Sequence, residues 1–86
     1  MTGRAFTIGD YVSWRSHSGG CHGVIVAVVP PGDRPAAKTT GGKTRPRDHV
    51  SYLVRGRKLD ADGTPYGPEG IYWPRVRCMA LDQRAA

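Results

Sequence analysis

The sequence has few cysteines, no long hydrophobic run and few acidic residues, and the first two shortages each exclude a class of protein. Its two cysteines, Cys21 and Cys78, are too few for the disulfide framework of a small secreted domain. No stretch approaches the ~20 apolar residues of a membrane span, and no apolar signal segment precedes Phe6. We therefore expect a cytoplasmic protein with reduced thiols and no membrane contact.

Helical periodicity is also missing. No window places apolar residues at i, i+3, i+4 and i+7 for more than one turn, whereas 12 Gly and 7 Pro interrupt the chain. Such punctuation is typical of short strands joined by turns. We predict a single all-β domain over residues 1–86, in which residues 83–86 form a frayed tail.

Five strands are predicted. The first, residues 11–15, alternates so that Val12 and Trp14 share one face. The second, residues 22–29, is apolar on both faces, as expected of a long bent strand in a small barrel. The other strands are predicted at residues 50–55, 71–73 and 77–81, with a 3₁₀ turn at residues 74–76.

Two segments are predicted as loops. Residues 30–48 form a long basic connector between strands 2 and 3. Structureless segments beyond about 12–15 residues are uncommon in compact domains and tend to be functional or disordered. We therefore expect this loop to be flexible and to carry binding residues. In the second loop, residues 56–70, the Asp62-Gly63 pair favours a hairpin turn.

Several short segments resemble those of small bacterial Tudor-like and KOW-like domains. They are Gly-Asp-Tyr-Val-Ser-Trp at residues 9–14, the glycine-led apolar run at 23–29, Tyr-Leu-Val at 52–54 and Tyr-Trp-Pro-Arg-Val at 72–76. The sequence is similar to the hypervirulence-associated Tudor family and to small phage or prophage proteins of that shape. The resemblance implies a five-stranded SH3-like barrel and a non-enzymatic role. The long basic loop departs from the family pattern.

The residues that commonly bind metals do not form a recognisable pattern. His17, Cys21 and His22 cluster near one predicted turn. Cys78 and His49 are distant in sequence, and no C-x₂-C pair is present. We predict no metal site and interpret Cys78 as a small buried apolar residue. A disulfide between the two cysteines is disfavoured in a reducing compartment.

The sequence also lacks a catalytic pattern. Adjacent strand residues such as Cys21 and His22 point to opposite faces, which prevents a nucleophile–base pair. Asp60 and Asp62 flank a glycine turn. Residues 41–44, Gly-Gly-Lys-Thr, lack the first glycine, the preceding strand and the following helix of a phosphate-binding loop. We predict a protein that is not an enzyme and has no cofactor.

Basic and aromatic residues are the stronger candidates for function. Thirteen Lys and Arg against seven Asp and Glu give a net charge of +6, which favours polyanionic partners. Basic side chains suit phosphate contact, and neighbouring tyrosine rings offer faces on which bases can stack. Trp14 and Trp73 are instead predicted to pack in the core. The predicted binding residues are Lys38, Lys43, Arg45, Arg47, Arg55, Arg57, Lys58, Arg75, Tyr11 and Tyr72.

Three functions are compatible with these features. The first is a binding module that contacts nucleic acid, or a nucleic-acid-associated complex, through a basic surface. The second is a small phage-type inhibitor or adaptor, for example an anti-CRISPR-like antagonist, that occupies a host protein surface through its long loop. The third, implied by the Tudor resemblance, is an aromatic cage for a cationic ligand, which the positive net charge disfavours. The cage would use Tyr11, Tyr52, Tyr72 and Trp73.

Overall fold

The described residues form five β-strands and one short 3₁₀ turn. The computed structural model describes residues 6–16, 19–36, 39–40 and 45–82. The strands are β1 Tyr11–Ser16, β2 Gly19–Val29, β3 Ser51–Leu59, β4 Pro65–Tyr72 and β5 Ala80–Leu81, and the 3₁₀ turn is Val76–Cys78. None of the described residues lies in a helix long and apolar enough to cross a membrane. The prediction of an all-β chain is confirmed.

The strands form one antiparallel sheet in the order β4-β3-β2-β1-β5. Strands β1 to β4 each pair with their neighbour in sequence, and β5 returns to β1, where Leu81 lies opposite Val12. Over the described residues no ladder joins β4 to β5, so the sheet is open. The predicted SH3-like barrel is therefore confirmed only as a five-stranded antiparallel sheet.

The prediction of a loop at residues 56–70 is wrong over most of its length. These residues extend β3 and form most of β4, and the two strands pair around a tight turn. In that turn Asp60 N–H donates to the Thr64 carbonyl at 3.0 Å, and Gly63 has a positive φ of 82°. Pro65 and Pro68 are tolerated in β4 because it is an edge strand, where a missing N–H donor costs little.

The last two elements begin later in the sequence than predicted. The 3₁₀ turn starts two residues later than predicted, because Cys78 N–H donates to the Arg75 carbonyl and Met79 N–H to the Val76 carbonyl. This shift makes Met79 the buried residue, 4% exposed. Cys78 is exposed, so its interpretation as a buried apolar residue is wrong. The fifth strand is only two residues long.

The main core lies on one side of the sheet, which we call the inner face. Val12 and Trp14 are buried there, as the alternation of β1 predicts. Phe6 closes one end, with its N–H donating to Tyr52 Oη at 3.2 Å and its ring packed edge-on against that ring. Ile8, two residues further along the chain, is exposed. The buried residues of this cluster are Phe6, Val12, Trp14, Cys21, Ile25, Tyr52, Val54 and Met79.

Two glycines let the longest strands approach each other closely. Gly23 and Gly56 are direct cross-strand neighbours in β2 and β3. A Cβ atom on Gly56 would lie 1.9 Å from the His22 carbonyl oxygen, and one on Gly23 would lie 2.3 Å from the Arg55 carbonyl oxygen. Both distances are far below van der Waals contact, so only glycine fits at this crossing.

A β-bulge lets β2 contribute to apolar clusters on both faces. The register with β3 shifts between Ile25 and Ala27. Ile25 belongs to the main core, whereas Val29 belongs to a smaller cluster on the opposite, outer face. The prediction that both faces of this strand are apolar is confirmed. The outer cluster consists of Val29, Leu53 and Trp73, with Val26, Ala27 and Ile71 packed against it.

The described parts of the connector between β2 and β3 are tied down. Gly32 N–H donates to the Arg47 carbonyl at 2.7 Å, which joins the two ends of the connector. Thr40 N–H donates to the Ile71 carbonyl at 2.7 Å, so the connector also caps the edge of β4. These contacts fix where parts of the connector lie, and the flexibility of residues 30–48 stays a prediction. Lys38 and Lys43 lie outside the described residues.

Candidate nucleic-acid interface

Arg47 holds the connector against the outer cluster. Its guanidinium lies 3.9 Å from the centroid of the Trp73 ring. Its two terminal nitrogens donate to the main-chain carbonyls of Pro74 at 2.8 Å and Trp73 at 2.7 Å. Burial, and secondly the charge of Arg75, lowers the pKa of Arg47, but an arginine remains cationic at neutral pH. These contacts give Arg47 a structural role, and its contact with a partner stays a prediction.

Tyr11 and Tyr72 lie on opposite faces of the sheet. The Tyr72 ring packs edge-on against Trp14, with centroids 5.6 Å apart, and joins the inner core. Burial, with smaller effects from Cys21 and Tyr66, raises the pKa of Tyr72. Tyr11 precedes buried Val12 in β1 and therefore points to the outer face. The structure does not bring these two predicted binding residues together.

The rings of the predicted aromatic cage do not converge. Tyr52 and Tyr72 belong to the inner core, whereas Trp73 belongs to the outer cluster. Tyr52 is 5% exposed and Trp73 is 3% exposed, so neither presents a free ring face. Trp73 also donates its ring N–H to Ser51 Oγ at 2.7 Å. The prediction that Trp14 and Trp73 pack in the core is confirmed.

A basic and aromatic surface occupies the outer face beyond the outer cluster. It receives two side chains from each of β1, β2 and β3, because residues that alternate with the inner core point outward. In the ladders, Val24 lies opposite both Tyr11 and Arg55. The two ladders therefore place Tyr11 and Arg55 on either side of Val24. We call this surface the outer-face patch; its residues are Tyr11, Ser13, His22, Val24, Arg55 and Arg57.

A pair of rings forms one side of the outer-face patch. Tyr11 Oη and His22 Nδ1 are hydrogen-bonded, and the ring centroids lie 5.3 Å apart at an interplanar angle of 76°. His22 also lies opposite Arg57 in the β2–β3 ladder. From the sequence alone, His22 is a candidate only for a metal ligand or a catalytic base. Its alternation with buried Cys21 was the signal that places it on the outer face.

Two arginines form the other side of the outer-face patch. Arg55 is exposed, and Arg57 is partly buried with its Nε donating to the Gly67 carbonyl at 3.0 Å. Among the residues whose positions are described, no carboxylate lies within 4.0 Å of either guanidinium. Since the two residues are separated by one position in β3, their Cα atoms are about 7 Å apart on the same face. Both positive charges are therefore available to an anion.

Known proteins do not identify this surface. Comparison with protein-family models, curated proteins and solved structures gave no match.

The other predicted cations are dispersed. Lys58 lies opposite Cys21 in the ladder and so belongs to the inner side of the sheet. Arg75 is exposed next to the 3₁₀ turn, and Arg45 is exposed in the connector. The outer-face patch brings together three of the predicted binding residues: Tyr11, Arg55 and Arg57.

The inner side carries an open groove of about 1010 Å³ near the ends of the two hairpins. Cys21, Cys78 and Tyr66 are among its lining residues. Both cysteines belong to the described part of the chain, and no disulfide joins them. That part also contains no cluster of three His, Cys, Asp or Glu residues suited to a metal ion. His17, from the predicted histidine cluster, lies outside it.

Proposed function

We propose that this protein is a non-catalytic binding module that contacts nucleic acid through the outer-face patch. The observation that supports the proposal is the pair Arg55 and Arg57, which have no carboxylate partner among the described residues, beside the rings of Tyr11 and His22. Guanidinium groups bind phosphate through several N–H donors, and flanking aromatic rings bind bases by stacking. The patch combines both types of contact on one face.

The charge of the whole chain favours the same partner. A net charge of +6 attracts a polyanion over distances comparable to the Debye length of about 8 Å at physiological salt. Loss of condensed counterions then makes the affinity depend strongly on salt concentration. Acidic side chains of the chain do not neutralise the patch locally, because neither of its guanidinium groups has an ion pair in the described ranges.

The fold proposed to carry this surface is a barrel of the SH3-like type. Three features support the closer assignment: the four-strand meander with a fifth strand returning to β1, the close crossing of Gly23 and Gly56, and register shifts in two ladders. Bulges and glycine crossings are the features that curve a sheet towards a barrel.

The proposal is tested by removing two charges from the patch and, separately, two from elsewhere. The first variant is Arg55→Gln with Arg57→Gln; the matched control is Arg34→Gln with Arg77→Gln, which removes two exposed charges outside the patch. Binding is measured by fluorescence anisotropy with a labelled mixed-sequence oligonucleotide over a series of salt concentrations. The patch variant should bind at least about tenfold more weakly than the control, because each charged hydrogen bond contributes about 1.5–3 kcal/mol.

Two results would contradict the proposal. One is no detectable binding by the wild-type chain at low salt, where the electrostatic attraction is strongest. The other is an equal loss of affinity in the patch variant and its control, which would show that only net charge matters. Stoichiometric capture of one host protein that survives nuclease treatment would instead favour the phage-type inhibitor or adaptor.

A further inference from the structure

The outer-face patch lies on the surface of a sheet. Its residues belong to three neighbouring strands, and β4 and β5 flank them on either side. Distinguishing all four base pairs of a duplex requires an element that enters the major groove, which is about 8.5 Å deep. The connector does not supply such an element at Thr40 or Arg47. Thr40 N–H donates to the Ile71 carbonyl, and the Arg47 guanidinium donates to the carbonyls of Trp73 and Pro74. The shape of the patch therefore disfavours base contacts in a duplex.

The ring pair has a geometry suited to one unpaired base. Because the rings of Tyr11 and His22 stand at 76° to each other, only one of them can lie parallel to a given base. The hydrogen bond between Tyr11 Oη and His22 Nδ1 lets the other ring hold the stacking ring in place. A base within a duplex has both faces covered by its neighbours, whereas a base in a single strand can leave the stack. The pair therefore offers one stacking position to a single strand.

Arg55 and Arg57 are placed to contact phosphates next to the stacking position on Tyr11 and His22. Arg55 and Arg57 are about 7 Å apart along β3, which is comparable to the separation of consecutive phosphates in an extended single strand. His22 lies directly opposite Arg57 across one ladder. On the basis of the proposed function, we infer that the outer-face patch binds a single strand, with one base on the Tyr11–His22 pair and two consecutive phosphates on Arg55 and Arg57.

The experiment compares a labelled oligothymidine of about 12 nucleotides with a blunt duplex of the same length. At low salt the single strand should bind at least about tenfold more tightly than the duplex, because stacking contributes only to the single strand. Tyr11→Leu should weaken single-strand binding by about fivefold or more. Tyr66→Leu is the matched control, because Tyr66 is 44% exposed and lines the inner groove. It should leave the affinity unchanged.

Salt dependence gives a measurement that does not depend on the Tyr11 variant folding. Two phosphate contacts on a single strand predict a slope of log affinity against log salt of about −1.4. Arg55→Gln should reduce the magnitude of that slope by about 0.7, whereas Arg77→Gln, at an exposed position in the 3₁₀ turn, should leave it unchanged. Equal slopes for the two variants would overturn the assignment of a phosphate to Arg55.

The outcomes separate the inference from the proposed function. Duplex binding as tight as single-strand binding would overturn the inference and leave the nucleic-acid function standing. Unchanged single-strand affinity in a folded Tyr11→Leu variant would also overturn it. If neither probe binds at low salt, both the inference and the proposed function fail.

Discussion

At the scale of single residues, the crossing of β2 and β3 depends on the absence of a side chain at Gly56. Gly56→Ala would place a Cβ atom 1.9 Å from the His22 carbonyl oxygen, and the backbone cannot move away without breaking the ladder. We expect a loss of roughly 3 kcal/mol in the free energy of unfolding, the upper part of the range for overpacked sites. Urea denaturation followed by circular dichroism measures this loss.

The matched control for that variant is Gly20→Ala. A Cβ atom on Gly20 would meet only the Leu59 side chain, at 3.8 Å, which is ordinary contact. We expect its effect on the unfolding free energy to be small. Similar destabilisation by both substitutions would show that the close crossing of β2 and β3 does not require glycine.

Among the strands and loops, the connector between β2 and β3 is held by the Arg47 side chain as well as by the main-chain hydrogen bonds of Gly32 and Thr40. Arg47→Lys keeps the charge but loses the planar group that stacks on Trp73 and donates to two carbonyls. We expect a loss of about 1–3 kcal/mol in the free energy of unfolding, because charged hydrogen bonds would be lost. Arg45→Lys, at an exposed position in the same connector, should change it by less than about 0.5 kcal/mol. Equal effects in urea denaturation would contradict this role.

Sequence pattern predicted some of these elements better than others. The alternation of β1 and the apolar run of β2 each identified a strand, because both patterns are visible within a few residues of sequence and do not depend on which residues cover them. The second half of β3 and most of β4 were predicted as a loop, because their glycines and prolines are typical of loops. An edge strand tolerates proline, but edge position depends on the whole sheet. The role of Arg47 was also hidden, because its partners lie more than 20 residues away.

The candidate site was only partly predictable for a related reason. The sequence identified Tyr11, Arg55 and Arg57 as candidates, but it did not show that they share a face. That depends on ladder register, and a slip of one residue moves every side chain of a strand to the opposite face. Here the bulge between Ile25 and Ala27 changes the register within β2. Short-range pattern contains no reliable signal for such a shift.

At the scale of the whole molecule, stability rests on two small clusters. Among the described residues, the inner core has eight buried members, the outer cluster has three, and the sheet is open. Domains of this size bury a smaller fraction of their surface than larger ones and are marginally stable. A ligand that binds across β1, β2 and β3 would connect strands that depend on this limited packing. Binding should therefore be measurable as a change in thermal stability.

A single strand that occupies the outer-face patch should raise the melting temperature. At a free concentration of about 100 times Kd, binding to the folded state alone stabilises it by about 2.7 kcal/mol. For a domain of this size that corresponds to a shift of roughly 10–20 °C. The Arg55→Gln, Arg57→Gln variant should lose most of the shift at the same oligonucleotide concentration, whereas the Arg34→Gln, Arg77→Gln control should retain it. Scanning calorimetry tests this, and an equal shift in both variants would place the ligand elsewhere on the molecule.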